Sequence, residues 1–195
     1  MARKFAEEEL RNIAKNSKGL YETSSKILKS FAAQHNATKQ YDIFLSHSFQ
    51  DAEVIHGLKI FIESKFNLSV YVDWLDTPEL DRSNVTKTTA NKLREVMKNC
   101  KSMLVAYSES VPESRWVPWE VGYFDSVKAR IAVLPISKYR VDSESFEGQE
   151  YLGLYSYGVR DTVNGNDVIW IQNSPTEYVG LKNWIIGTEP YVRGA

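Results

Sequence analysis

The sequence has few of the residues on which metal, disulfide and membrane chemistry depend. Cys100 is the only cysteine, so neither an internal disulfide nor a multi-cysteine metal site can form. The three histidines, at positions 35, 47 and 56, do not have a zinc-binding spacing. No apolar run approaches the roughly 20 residues that a membrane-spanning helix requires. We therefore expect neither a bound metal nor a membrane segment.

Two glycine-rich phosphate-binding motifs are also missing. No G-x-G-x-x-G follows an apolar run, and no G-x-x-x-x-G-K-[S/T] occurs. In such motifs, backbone N–H groups of a glycine-rich loop hold the phosphates of a nucleotide. Their absence excludes ordinary dehydrogenases and P-loop enzymes.

The charge distribution gives no sign of a nucleic-acid-binding surface. The net charge is −1, and eight of the 24 Lys and Arg residues lie in residues 1–40 beside four acids, so the rest of the chain is mildly acidic. Binding to a phosphate backbone needs clustered cations, and we expect no nucleic-acid partner. Because no apolar segment of the secretory type follows the basic N-terminus, we expect a cytoplasmic protein.

The first forty residues differ in pattern from the rest. Their apolar residues recur at three- and four-residue spacings, which predicts a helical stripe. We interpret 1–40 as an N-terminal helical extension that ends in a linker at 35–40, and 41–195 as the main domain. Packing against that domain is the favoured role of the extension, and an oligomerising element is the alternative.

From residue 41, short apolar runs alternate with longer helical patterns, which predicts a doubly wound α/β sheet of about five parallel strands. Residues 49–66 and 84–100 have helical periodicity. A long connection is predicted over 138–166 and a closing helix over 175–186. The five runs interpreted as strands are 41–46, 69–73, 102–108, 130–136 and 167–172.

Three loops follow the first three predicted strands: SHSFQD (46–51), DWLDTPELDRSN (73–84) and SESVPESRW (108–116). In open α/β sheets, ligands bind beyond the carboxyl ends of the strands, where the strand order reverses. We therefore expect these loops to line a ligand crevice.

The third loop leads into a helix that carries Trp116 and Glu120 one turn apart. Ser114 is a predicted N-cap, and Pro118 fits only near a helix start. The spacing alone favours a structural role, in which the acid complements the helix dipole and the tryptophan packs in the core. In a crevice, however, the carboxylate could stabilise the positive charge that develops on a sugar during glycosidic cleavage.

Three stretches together resemble the Toll/interleukin-1 receptor (TIR) domain family, and in particular its bacterial stand-alone members. "YDIFLSHSFQD" resembles the first strand and box of that family, and "VYVDWLDTPEL" its second strand and BB loop. "SRWVPWEVGYF" matches its motif of a tryptophan, three residues and a glutamate. The resemblance covers about residues 41–186 and implies the flavodoxin-like TIR fold.

The resemblance also implies an enzyme that uses NAD+ as a substrate, without a prosthetic group, and breaks the bond between nicotinamide and ribose. By the family pattern Glu120 is the catalytic glutamate. One departure is that no arginine follows the first strand, where His47 stands instead. The residues to which substrate binding is assigned are His47, Ser48, Phe49, Asp76, Thr77, Arg82 and Trp116.

The resemblance further implies products and partners. The product would be ADP-ribose or a cyclic ADP-ribose isomer, acting as a signal to a separate effector in anti-phage defence of the Thoeris type. TIR domains also self-associate through contacts that include the BB loop. Two alternatives remain: a non-catalytic interaction module, and an enzyme similar to nucleoside hydrolases or deoxyribosyltransferases.

Overall fold

The computed structural model describes residues 2–17, 39–47, 52–77, 86–108, 114, 116–143, 146 and 151–192. Within them, nine strands form one sheet, and helices pack against both of its faces. The strands are β1 (Phe5–Ala6), β2 (Tyr41–Ser46), β3 (Val70–Tyr71), β4 (Cys100–Ser108), β5 (Ile131–Ser137), β6 (Ser156–Val163), β7 (Asn166–Ser174), β8 (Glu177–Gly180) and β9 (Tyr191–Val192). The helices are α1 (described over 7–17), α2 (Ala52–Phe66), α3 (Asp73–Asp76), α4 (Lys87–Lys98), α5 (Trp116–Lys128) and α6 (Leu181–Ile185), with a 3-10 turn at Leu152–Leu154.

The centre of the sheet is parallel, with five strands in the order β3-β2-β4-β5-β6. This is the flavodoxin order, in which the chain reverses direction across the sheet between β2 and β4. Apolar residues of α1, α2 and α6 cover one face, and those of α4 and α5 cover the other. Burial on both faces explains why all seven residues of β5 are buried. The prediction of a doubly wound α/β fold is confirmed.

The prediction for the C-terminal part was wrong in three places. The fifth parallel strand is β6, which lies inside the predicted connection 138–166, and the run 167–172 belongs to β7, which is antiparallel to β6. The predicted closing helix 175–186 is instead strand β8 followed by the short helix α6. The physical reason lies at the β6–β7 turn. There, Asn164 and Gly165 both have positive φ, 51° and 79°, as a tight two-residue hairpin requires.

The N-terminal segment is built into the sheet. Strand β1 pairs in parallel with the carboxyl end of β5, and Arg3 bridges to Arg160 of β6. Phe5 and Leu10 are buried in the core beneath α2. The described part of the predicted extension thus supplies a strand and a helix to the domain. Residues 18–38 lie outside the described residues, and the boundary at residue 40 stays a prediction.

Ion pairs fasten this segment to the β6–β7 hairpin. Arg160 contacts Glu9 at 3.3 Å and Asp167 at 2.7 Å, and Arg3 contacts Glu9 at 2.9 Å. Burial alone would raise the pKa of Asp167, but its hydrogen bonds to Arg160 and Lys65 and their charges hold that pKa below its ordinary value. Arg160 thus joins Glu9 of the N-terminal segment to Asp167 of the hairpin.

Cys100 begins β4 and is fully buried. Burial raises the pKa of its thiol to about 12, despite the opposing charge of Lys128. Its side chain therefore acts as a small apolar group.

Among the described residues, no helix combines the length and the apolar character that crossing a membrane requires.

Candidate active site

Helix α5 carries the predicted catalytic carboxylate. The Val117 N–H donates a hydrogen bond to Ser114 Oγ at 3.2 Å, which confirms that Ser114 caps the helix start. Pro118 lies in the first turn, where its missing N–H has no helical partner to lose. Glu120 follows one turn into the helix, and its side chain is fully buried. The sequence thus places a carboxylate inside the protein rather than on the outer face of the helix.

The buried carboxylate meets the end of the central strand β2. Ser46, the last residue of β2, donates its hydroxyl to Glu120 Oε2 at 2.6 Å, and both side chains are fully buried. This distance is typical of a charge-assisted O–H···O⁻ bond. Ser46 was not among the predicted site residues. The available signal was its place as the final residue of the strand before the predicted ligand loop.

His47 lies next in the chain and is also fully buried. The Trp74 indole N–H donates to His47 Nε2 at 3.0 Å, and Leu45 O lies 3.0 Å from Nδ1. Because an indole N–H can only donate, Nε2 must accept, so Nδ1 carries the proton and donates to Leu45 O. Asp73 Oδ1 lies 3.7 Å from Nε2. This arrangement fixes the ring at the strand end, and direct contact of His47 with a substrate stays a prediction.

Trp116 is half-buried at the start of α5, one turn before Glu120. Its ring meets Trp119 edge to face, with centroids 5.4 Å apart, and Trp119 stacks on Tyr123. The Arg94 guanidinium lies 5.2 Å from the Trp119 ring centroid. This aromatic row holds the orientation of Trp116, and its contact with a substrate stays a prediction.

Asp76 and Thr77 close the short helix α3 and make contacts within the protein. Asp76 Oδ2 accepts from the Val72 N–H at 2.8 Å and pairs with the buried Lys59 ammonium at 3.2 Å. The Tyr71 hydroxyl donates to Thr77 Oγ1 at 3.1 Å. These bonds anchor the start of the predicted BB loop. Substrate binding by these two residues stays a prediction.

A substitution at Asp76 distinguishes a structural role of this residue from the predicted role in substrate binding. Replacing Asp76 by asparagine removes a charge that faces buried Lys59, and we expect the free energy of unfolding to fall by roughly 1–3 kcal/mol. Urea denaturation measures this change. Asp142→Asn is the matched control, because Asp142 pairs with Arg140 in an exposed position, where loss of the pair should change stability little. Unchanged stability with weaker substrate binding would instead favour the predicted substrate contact.

Three of the predicted binding residues, Ser48, Phe49 and Arg82, lie outside the described residues. Within the part of the chain that the structure describes, no group of three or more His, Cys, Asp or Glu side chains is placed to hold a metal ion.

The geometry places the Ser46–Glu120 pair at a defined point of the fold. Ser46 ends β2, and β2 and β4 flank the point at which the strand order reverses. Open α/β sheets bind their ligands beyond the strand ends at this point. The chain is therefore an α/β domain of flavodoxin topology with a buried carboxylate at the carboxyl ends of its central strands.

Comparison with known proteins identifies the family. A family model described as "Thoeris protein ThsB, TIR-like domain" matches residues 44–139. Over 166 residues the chain is 47% identical to the Bacillus cereus (strain MSX-D12) protein named "Probable 3' cyclic ADP-D-ribose synthase ThsB'", covering 84% of this chain and 85% of that protein. It is 34% identical over 87 residues to "Putative cyclic ADP-D-ribose synthase TIR2" of Cytobacillus dafuensis, covering 44% of this chain and 22% of that protein. The chain belongs to the ThsB family of Thoeris TIR proteins, and the resemblance found in its sequence is confirmed.

Proposed function

We propose that this protein cleaves NAD+ at the bond between nicotinamide and ribose and that Glu120 is the catalytic residue. The observation that carries the proposal is the fully buried Glu120 carboxylate, hydrogen-bonded to Ser46 at the ligand end of the sheet. The names of both relatives, as cyclic ADP-D-ribose synthases, support the same chemistry.

Charge development explains why a buried carboxylate suits this reaction. When the C–N bond breaks, nicotinamide leaves with the bonding electron pair as a neutral base, and the ribose becomes an oxocarbenium-like cation. A fixed negative charge stabilises that cation, and its effect is larger where water is excluded. Glu120 would thus act by electrostatic stabilisation, without needing a metal ion or a prosthetic group.

The identity of the attacking nucleophile decides the product. Attack by water gives linear ADP-ribose, whereas attack by a nucleophile in the adenosine half of the same molecule gives a cyclic isomer. We infer that the cyclic isomer is the main product, since both relatives carry that product in their names. It would act as a signal to a separate effector in anti-phage defence. Self-association through contacts that include the BB loop would complete the site.

Product analysis tests the proposal. The protein is incubated with NAD+ over a range of protein concentrations, because self-association would make the activity depend on concentration. We expect equimolar release of nicotinamide and of a nucleotide lighter than ADP-ribose by one water, resolved by mass spectrometry. Nucleosides are tested as substrates in a parallel incubation. Release of free base from them, with NAD+ left intact at every protein concentration, would support the hydrolase-like alternative and contradict the proposal.

A further inference from the structure

Two serines with fully buried side chains stand on neighbouring central strands and use their hydroxyl groups differently. Ser102 of β4 donates to the backbone carbonyl of Asp42 at 2.8 Å, a bond within the sheet. Ser46 of β2 instead donates to Glu120 Oε2 at 2.6 Å, across 74 residues of sequence. The hydroxyl of Ser46 therefore acts on a side chain of α5 rather than on the ladder of the sheet.

A buried carboxylate needs such a donor. Removal of an ionised carboxylate from water is strongly unfavourable unless hydrogen bonds replace those of the solvent. A short hydrogen bond also restrains rotation about the last bond of the glutamate side chain. The Ser46 hydroxyl therefore both stabilises the ionised form of Glu120 and fixes the direction of its carboxylate.

The end of strand β2, which carries the Ser46 hydroxyl, is held in place on both sides. Ser46 pairs in register with Val105 of β4, and the next residue, His47, is fixed between Leu45 O and the Trp74 indole. Because the strand end is restrained in this way, the hydroxyl cannot follow a carboxylate that swings away. The geometry is that of a fixed support for Glu120.

We propose that Ser46 is a positioning residue for Glu120, which orients the carboxylate toward the reacting sugar through the hydrogen bond to Oε2. The kinetic consequence rests on the proposed function, whereas the coupling between the two side chains does not. Ser46 touches no substrate atom in this proposal and acts only through Glu120.

Kinetics on matched variants give the first test. Loss of a hydrogen bond to a charged group predicts that Ser46→Ala lowers kcat by about ten- to a hundredfold, with KM for NAD+ changed less than about threefold. Ser46→Thr keeps the hydroxyl and should recover most of kcat. Ser102→Ala removes a buried hydroxyl that donates to a backbone carbonyl, and this variant should stay within about threefold of wild type in both constants. Equal losses in the two alanine variants, or a loss confined to KM, would overturn the proposal.

A second measurement does not depend on turnover. The Glu120 carboxyl carbon, assigned by its loss in Glu120→Gln, is followed by NMR as pH is varied. Because the lost hydrogen bond favours the ionised form, its titration should move upward in Ser46→Ala and stay unchanged in Ser102→Ala. The signals of His47 and Asp73, the titratable groups at the strand end and beside it, are recorded in the same spectra, which keeps their titrations apart from that of Glu120.

The two measurements separate the two proposals. An unchanged Glu120 titration in folded Ser46→Ala would overturn the positioning role, whatever the kinetics show. The expected shift in a wild-type protein that leaves NAD+ intact would support the coupling and contradict the proposed function. Thermal unfolding of each variant establishes that it is folded under the conditions of measurement.

Discussion

Replacement of Glu120 by glutamine is expected to reduce nicotinamide release from NAD+ by at least about a thousandfold. Glutamine has nearly the shape of glutamate, and its amide oxygen can still accept from Ser46, so the buried pair keeps its packing and its hydrogen bond. The negative charge is lost, and one accepting carboxylate oxygen becomes a donating NH2 group. Because a neutral amide is cheaper to bury than a carboxylate, the free energy of unfolding should not fall. Nicotinamide release and urea denaturation, measured on the same preparation, separate the two effects.

A matched substitution controls for the chemical change itself. Glu95 lies on α4 with an exposed side chain, and Glu95→Gln should turn over NAD+ at the wild-type rate. A folded Glu120→Gln protein that also released nicotinamide at that rate would end the assignment of catalysis to Glu120. A variant with alanine is less informative, since the cavity left beside Ser46 could lower stability on its own.

The part of the fold that could be predicted is the part with strong local patterns. The runs at 41–46, 102–108 and 130–136 are continuous and apolar, and they became β2, β4 and β5. Strand β6 has exposed residues at its far end and a glycine within it, so its pattern resembled a connection. The Asn164–Gly165 turn was a local hairpin signal that the prediction did not use.

The N-terminal segment was harder to place, because its contacts are distant in sequence. Strand β1 has two residues, too few for a periodic pattern, and its partner residues in β5 lie about 130 positions away. Helix α1 was predicted from its spacing, but spacing gives the apolar side of a helix and not the surface that covers it. The docking of α1 on α2 depends on tertiary contacts, which a local sequence pattern does not show.

In the candidate site, too, local sequence features could be predicted and contacts between distant residues could not. Glu120 was singled out because its loop context and the family motif that joins it to Trp116 are local features of the sequence, and its catalytic role stays a prediction. Ser46 was missed because a serine that ends an apolar strand looks like a strand boundary, and its partner is 74 residues away. The Trp74 indole donates to Nε2 of His47, a partner that the sequence did not indicate, and the predicted substrate contact of His47 stays a prediction. Spacing could place these residues at one end of the sheet but could not assign their partners.

The second large effect is expected on stability, at the contact between α1 and α2. Gly57 of α2 lies so close to α1 that an added Cβ would be 1.9 Å from the backbone oxygen of Leu10. Because neither helix backbone can yield without moving as a whole, Gly57→Ala must push α1 away and expose Phe5 and Leu10, which are buried in the core. We expect the free energy of unfolding to fall by about 3 kcal/mol or more. Urea denaturation followed by circular dichroism measures it.

Gly122 in α5 supplies a control with the opposite sign. A Cβ there has no atom within 4 Å, so Gly122→Ala should raise the free energy of unfolding by about 0.5–1 kcal/mol through helix propensity alone. Adding Leu10→Ala to Gly57→Ala should not restore stability, because the clash is with the Leu10 backbone and not with its side chain. Wild-type stability of Gly57→Ala would show that α1 is not docked on α2. The expected loss would mean that the N-terminal segment is part of the folding unit that carries Glu120.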